Sequence, residues 1–290
     1  MSDVTAPPSI PRLPPRAADS HKGTYGRVLV VAGSRGMTGA AVLCGTAALR
    51  GGAGLVQIAV PGEIQPIVAG GNPCYMTVGL PQDMRGRFAT AAINEVIDLS
   101  RWADVVAVGP GIGQAESAPT LVQALLARTQ KPLVIDADGL NALAKVPNDQ
   151  WPARSAPVVL TPHPGEFIRL SDYSADDVRE NREDRAKAYA TDRSVVLVLK
   201  GHRSVVTDGT RVHLNPTGNP GMATGGTGDV LTGLLAAVLG QGLAAFDAAV
   251  VAVWAHGRAG DLAADTRGQA GMIATDLNDH LPAALREVGG

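Results

Sequence analysis

Aromatic side chains are scarce in this 290-residue chain: Phe, Tyr and Trp together make up 3%. That argues against an aromatic-rich β-sandwich and leaves a core of Ala, Val, Leu and Ile, which suits helices packed closely on a sheet. Hydrophobic residues reach 45%, ample for a large core. Cysteine is scarcer still, with only Cys44 and Cys74. Two cysteines in so long a chain make no disulfide framework and point to a reducing compartment, read here as the cytoplasm. No long Lys/Arg run occurs, and the formal net charge is −2. Nucleic acid needs a basic face to neutralise its phosphates, so it is not an expected partner. The N-terminal stretch holds Pro7, Pro8, Pro11, Pro14 and Pro15 but no apolar run, so no secretory signal is expected. The most apolar stretch, 230–255, is interrupted by Gln241, Gly242 and Asp247. It predicts two buried helices, not a membrane span.

Two common nucleotide-binding motifs are also missing. A P-loop needs Gly-Lys-Ser/Thr ahead of a helix, and Gly-Lys occurs nowhere. A Rossmann site needs spaced glycines and an acidic residue about 20 positions on. Gly33, Gly36 and Gly39 imitate the glycines poorly, and the strand-like run 55–60 carries Gln57 but no acid. A hydride-transferring Rossmann dehydrogenase is therefore not expected.

What is present is alternation. Apolar runs at 27–32, 55–60, 104–108, 133–136, 158–160 and 195–199 read as strands buried on both faces. Helical patterns at 38–50, 87–102, 117–128, 175–190, 228–240 and 246–264 lie between or after them. Such alternation implies a mainly parallel sheet between helix layers. The runs 203–207 and 211–214 flank Asp208-Gly209, a hairpin signal, and predict a small antiparallel edge. The charged stretch 174–193 reads as a solvated helix capped by Ser174, with no functional role. Residues 1–20 read as a flexible or loosely docked Pro-rich arm, and 21–290 as a single domain.

Ligands of open parallel sheets bind at the carboxyl ends of the strands. Five suggestive loops fall there: Gly33–Gly36, Gly109–Gly113, Asp136–Gly139, Thr161–Glu166 and Lys200-Gly201. The strongest element is Gly218-Asn219-Pro220-Gly221-Met222-Ala223-Thr224-Gly225-Gly226-Thr227-Gly228-Asp229, followed directly by an apolar helix. Its glycines and the helix N-terminus predict an anion hole at Gly226, Thr227 and Gly228 for a transferring phosphoryl group. Asp229 beside it suits a base that takes a proton from an attacking hydroxyl. The competing reading is that Asp229 only caps the helix.

Gly218 through Gly233 resembles the signature of the ADP-dependent NAD(P)H-hydrate dehydratases, a ribokinase-like family often fused to an epimerase domain. The resemblance runs from about Lys22 to Leu281. It includes Gly33-Ser34, Gly39-Ala40-Ala41, Ala47–Arg50, Gly52–Val56, Gly109–Gly113, Asp136–Asn141 and Thr161–Glu166. It implies a ribokinase-like three-layer α/β/α sandwich and a carbon–oxygen lyase of metabolite repair. In that reaction ADP phosphorylates the hydroxyl of the S-epimer of hydrated NADH or NADPH. Phosphate then leaves, and AMP and the reduced cofactor are released. The 290 residues leave no room for an epimerase domain, so pairing with a separate epimerase is implied, as is a homotetramer.

Residue by residue, the resemblance assigns Ala40, Gly113, His163 and Asp229 to the hydrated cofactor. It assigns Lys200, Gly201, His202, Arg203, Ser204 and Gly228 to the adenine nucleotide. From the residues alone other readings stay open: helix packing for Ala40, a structural role for His163, solvation for Lys200. Ser204 stands where the family often has Thr and keeps the hydroxyl. Asp138 and Asn141 are expected to shape the site, and Asp136 to contribute indirectly to Mg2+ binding. No residue is named as a metal ligand, and no His/Cys cluster suggests zinc. The alternative is a small-molecule kinase of the same fold, of thiazole or sugar kinase type. A non-catalytic nucleotide sensor is a third reading, disfavoured by Asp229.

Overall fold

Val, Ile, Leu and Ala runs with no polar face form strands that are covered on both sides. The computed structural model describes residues 6, 7 and 9–289. In chain order the elements begin β1 (Arg27–Val31), α1 (Thr38–Arg50), β2 (Leu55–Pro61), α2 (Gln65–Ala69), β3 (Met76–Leu80), α3 (Ala92–Trp102) and β4 (Val105–Val108). They continue with α4 (Ser117–Arg128), β5 (Leu133–Ile135), α5 (Asp138–Leu143), β6 (Val158–Leu160), α6 (Pro164–Leu170), α7 (Ala175–Glu180) and α8 (Arg182–Arg193). The last are β7 (Val196–Leu199), β8 (Val205–Thr207), β9 (Val212–Leu214), α9 (Thr227–Gly240), α10 (Ala245–Arg267) and α11 (Ala274–Arg286).

One sheet runs in the order β3-β2-β1-β4-β5-β6-β7-β8-β9. β1 to β7 pair in parallel, with Val28 beside Val56 on one side and Val105 on the other. β8 and β9 form the expected antiparallel edge. Successive β1 residues serve opposite layers, as the pleat requires. Val28 and Val30 join a core with α1, α9, α10 and α11. Leu29 and Val31 join one with α3, α4, α6 and α8. This is the expected three-layer α/β/α sandwich. Among the described residues, no helix is long and apolar enough to cross a membrane.

Three expectations change. The helix expected over 175–190 is two helices, broken at Asn181 (φ −120°, ψ 39°), whose Nδ2 donates to Asp177 Oδ1 at 2.9 Å. The helix expected from residue 87 starts at Ala92. Arg87 is instead held by Asp83 at 2.7 Å in the preceding turn. The arm is docked over its described part. Ala6 and Ile10 are each 2% exposed, and Leu13 shares their apolar cluster beside α11. Ala6 N donates to Glu287 O at 2.8 Å and Leu13 N to Val288 O at 3.0 Å. Prolines between these residues hide the apolar spacing from a periodicity reading. Residues 1–5 and 8 of the arm lie outside the described residues.

Candidate active site

The strands β1, β4, β5, β6 and β7 are consecutive in the sheet, so the five loops that follow them share one edge. The strand order reverses between β1 and β4, the crevice where open α/β sheets hold ligands. The N-terminus of α9 arrives at the same edge.

Gly226 occupies the N-cap of α9 with φ +91°, a conformation that favours glycine. Thr227, Gly228 and Asp229 are therefore the first three helical residues. Their amides have no carbonyl one turn back inside the helix, and the helix dipole places its positive end there. The loop before them is pinned. Thr227 Oγ1 donates to Met222 O and Thr224 O, both at 3.1 Å. Asp261 accepts from Gly218 N at 3.0 Å and Asn219 Nδ2 at 3.1 Å. From α10, His256 Nε2 meets Thr227 O at 2.8 Å. Burial lowers the His256 pKa to about 4, so the ring is neutral near pH 7 and Nε2–H is the donor to that carbonyl. Because Gly226 holds the cap position, Asp229 does not, and the capping account of this residue fails.

Charge gathers beneath Gly228. Lys200 Nζ bonds Asp136 Oδ1 at 2.7 Å and lies 3.8 Å from Glu166 Oε2. The other oxygen of Asp136 accepts from Thr232 Oγ1 at 2.7 Å. A side-chain carbon on Gly228 would stand 3.3 Å from Lys200 Nζ, so the helix start and the ammonium are neighbours. Burial pulls the Lys200 pKa down, but Asp136 and Glu166 outweigh it and raise the pKa above the ordinary lysine value. Asp229 moves the opposite way from most carboxylates. Burial first, then the charge of Asp136, raise it to about 7; Lys200 opposes this, and Asp138 and Glu166 add to it. The helix dipole favours a carboxylate at this position, yet desolvation and three like charges prevail. A carboxyl poised near neutrality suits proton transfer at pH 7.

Asp138 links this centre to the neighbouring loop. Its carboxylate accepts from Gly113 N at 2.9 Å and Gln114 Nε2 at 2.8 Å. Between Asp136 and Asp138, Ala137 holds φ +50°, ψ −121°, a strained conformation for a residue with a Cβ. The glycine loop then meets the loop ahead of α1: Gly33 N donates to Pro110 O at 2.7 Å and Ser34 Oγ to Gly111 O at 2.7 Å. A side-chain carbon on Gly111 would press on Ala40, so Ala40 and Gly113 lie on the same stretch of the edge. His163 is the N-cap of α6. Its Nδ1 accepts from Gly165 N and Glu166 N, and its backbone N–H donates to Glu166 Oε2 at 2.8 Å. The ring is half exposed, at 51%, with Nε2 3.5 Å from Glu166 Oε1. Asn141 Oδ1 accepts from Arg169 Nε at 2.8 Å.

The loop after β7 is anchored by Lys200 N to Pro162 O at 2.8 Å. Ser204 Oγ donates to Gly201 O at 3.1 Å and accepts from Gly201 N at 3.3 Å. His202 and Arg203 are exposed at its outer turn. Lys200, Gly228 and Asp229 thus converge, with Ala40, Gly113 and His163 along the adjoining rim and His202 and Arg203 farthest out. Glu166, Thr232 and His256 also belong to this centre, without a role in the sequence reading. Glu166 carried a signal, three residues after His163 as in a capping box. Thr232 lies one helical turn after Gly228. Nothing local marks His256. Among the described residues no three His, Cys, Asp or Glu side chains gather as a metal-binding group.

A family model described as NAD(P)H-hydrate dehydratase matches residues 28–283. A bifunctional NAD(P)H-hydrate repair enzyme Nnr from Moorella thermoacetica is 48% identical over 279 residues, covering 96% of this chain and 52% of the relative. The chain spans about half the length of this and several other curated relatives. The ADP-dependent (S)-NAD(P)H-hydrate dehydratase of Bacillus subtilis is 37% identical over 272 residues, covering 93% and 92%. A crystal structure of the ADP/ATP-dependent NAD(P)H-hydrate dehydratase from B. subtilis, co-crystallised with ATP and Mg2+, superposes with a TM-score of 0.84. It is 33% identical, over 97% of this chain and 100% of that one. An Arabidopsis thaliana ribokinase, 15% identical with a TM-score of 0.51 over 87% and 98%, shares the fold alone.

Proposed function

Because this chain belongs to the NAD(P)H-hydrate dehydratase family, we propose that it returns the S-epimer of hydrated NADH and NADPH to the reduced cofactors at the expense of ADP. The observation that carries this reading is Asp229, raised to about 7 in the first turn of α9 and next to the Lys200–Asp136 pair.

Asp229 takes the proton of the ring hydroxyl as that oxygen attacks the terminal phosphoryl group of ADP. A new O–P bond forms and the bond to the AMP oxygen breaks. The amides of Thr227 and Gly228 and the ammonium of Lys200 stabilise the charge on the transferring group. Hydroxide is a poor leaving group near pH 7, and phosphate is a good one. The ring nitrogen lone pair expels phosphate, and the neighbouring ring carbon loses a proton. Ala40, Gly113 and His163 hold the hydrated cofactor; Lys200–Ser204 and Gly228 hold the nucleotide. Mg2+, bound together with the nucleotide, would supply charge neutralisation on the phosphates. Magnesium is commonly held by one or two carboxylates plus substrate phosphates and water. The carboxylates near Lys200 suit that mode, and no ligand is assigned. A homotetramer, a cytoplasmic location and functional pairing with a separate epimerase belong to the same proposal.

The test is to incubate the protein with hydrated NADH, Mg2+ and either ADP or ATP, following reduced-nicotinamide absorbance, AMP and inorganic phosphate. The expected result is recovered absorbance with equimolar AMP and phosphate in the ADP reaction. A stable phosphorylated product without phosphate release would identify a kinase of the same fold instead.

A further inference from the structure

The nucleotide loop 200–204 holds an unusual backbone. Gly201 has φ +147° and Arg203 has φ +52°. Left-handed backbone at a residue with a Cβ persists only where surrounding contacts over-determine it. Ser204 braces the loop from within, through both backbone groups of Gly201. The external brace comes from α8, in the charged stretch read from sequence as solvated. Arg182 Nη2 donates to Leu199 O and Nη1 to His202 O, each at 2.7 Å. These carbonyls flank Lys200 and Gly201. The guanidinium packs so closely on Gly201 that a side-chain carbon there would fall 2.8 Å from Nη2. The break at Asn181 makes Arg182 the first residue of α8 and brings it to this loop.

We propose that Arg182 is a positioning residue for the adenine nucleotide: its two-pronged hold on Leu199 O and His202 O sets the loop that presents Lys200 to the phosphates. This rests on the reading of 200–204 as the nucleotide loop. Arginine suits the task because its planar fork satisfies two separated carbonyls at once, whereas lysine is a single flexible point charge. Arg182 touches no reacting atom, so its removal acts through the placement of Lys200 and falls mainly on nucleotide binding.

The experiment measures ADP affinity by calorimetry, and KM for ADP and for hydrated NADH with kcat, in wild type, R182A, R182K and K200A, each checked for folding by circular dichroism. Loss of two hydrogen bonds from a charged donor is expected to weaken ADP binding about 10- to 100-fold in R182A. KM for hydrated NADH should move less than about threefold, since its subsite lies on other loops, and kcat at saturating ADP should fall less than ADP affinity does, through the displaced Lys200. R182K, which keeps the charge and one donor direction, should recover part of the ADP affinity. If R182A is unstable, R182K carries the test through its intermediate ADP affinity at unchanged KM for hydrated NADH. Wild-type ADP affinity in folded R182A or R182K, with K200A impaired, would overturn the inference alone. Equal rises in both KM values, with kcat falling in parallel, would also overturn it and make Arg182 a general structural residue. Unchanged ADP affinity in R182A and K200A together would place the nucleotide elsewhere and overturn the underlying reading as well.

Discussion

The two helix layers reach the same edge of the sheet by different means. The layer of α1, α9, α10 and α11 is built from Ala, Gly, Leu and Val, and α9 is buried along most of its length. It presents backbone to that edge: the amides of Thr227 and Gly228, with the Asp229 side chain in the same turn. The layer that includes α6, α7 and α8 is charged on its outer face and delivers its contribution through side chains, Glu166 and Arg182. A close-packed apolar layer holds a helix end rigidly, because such an interior is poorly compressible. A solvated layer can reach the site only through long side chains that brace a loop.

Breaking the first layer should have the largest effect. α1 and α9 approach so closely that a side chain on Gly233 would overlap the Cys44 carbonyl oxygen. Gly233→Val should cost more than about 4 kcal/mol and unfold much of the protein, since backbone cannot yield as a side chain can. Denaturant melting of the expressed variant checks this; near-native stability would mean that the layer is softer than its packing implies. Ile10→Ala removes a buried side chain that the arm lends to the same layer. It should cost about 2 to 5 kcal/mol, measured by the same melts, and no change would return the arm to a loosely docked state. In the loop braced by the second layer, Lys200→Ala should weaken ADP binding about tenfold or more with the fold retained. Calorimetry finding wild-type affinity would leave Lys200 only a structural partner of Asp136. Least of all, Asp176→Ala on α7 removes an exposed pair with Arg179. Its denaturation midpoint should match wild type, as surface ion pairs contribute little. A clear fall would show that the outer face is more than solvated.

The same contrast explains what the sequence could reveal. Strand runs such as 27–32 and 104–108, and the helix 38–50, are legible because both faces or one stripe are apolar. The start of α9 is legible because Gly225 to Asp229 form one contiguous Gly-rich stretch that opens a helix. Arg182 and His256 are not, since each acts on a segment at least 17 residues distant through a single side chain. Local charge in 174–193 reads equally as a solvated face. The break at Asn181 hides as well: its local environment is helical on both sides, and only the Asp177 hydrogen bond marks it. β3 escapes for a different reason. It is an edge strand, and four of its five residues are at least partly exposed, so it lacks the buried signature of its neighbours. The docked arm escapes because Pro7, Pro11, Pro14 and Pro15 disguise Ala6, Ile10 and Leu13 as a linker.

Asp229 is proposed as the base that activates the ring hydroxyl, and the turnover of Asp229→Asn is the sharpest test of that role. Asparagine is nearly isosteric and leaves the backbone amides in place but accepts no proton as a base. Turnover should fall by about 10²- to 10⁴-fold, while calorimetry shows both ligands still bound. In the wild type the base must be deprotonated and its pKa is raised to about 7. Wild-type kcat/KM should therefore climb about tenfold per pH unit below that value and level off above it, and this limb should vanish from the residual activity of the variant. Near-wild-type turnover in a folded Asp229→Asn protein, with the limb intact, would show that Asp229 is not the base.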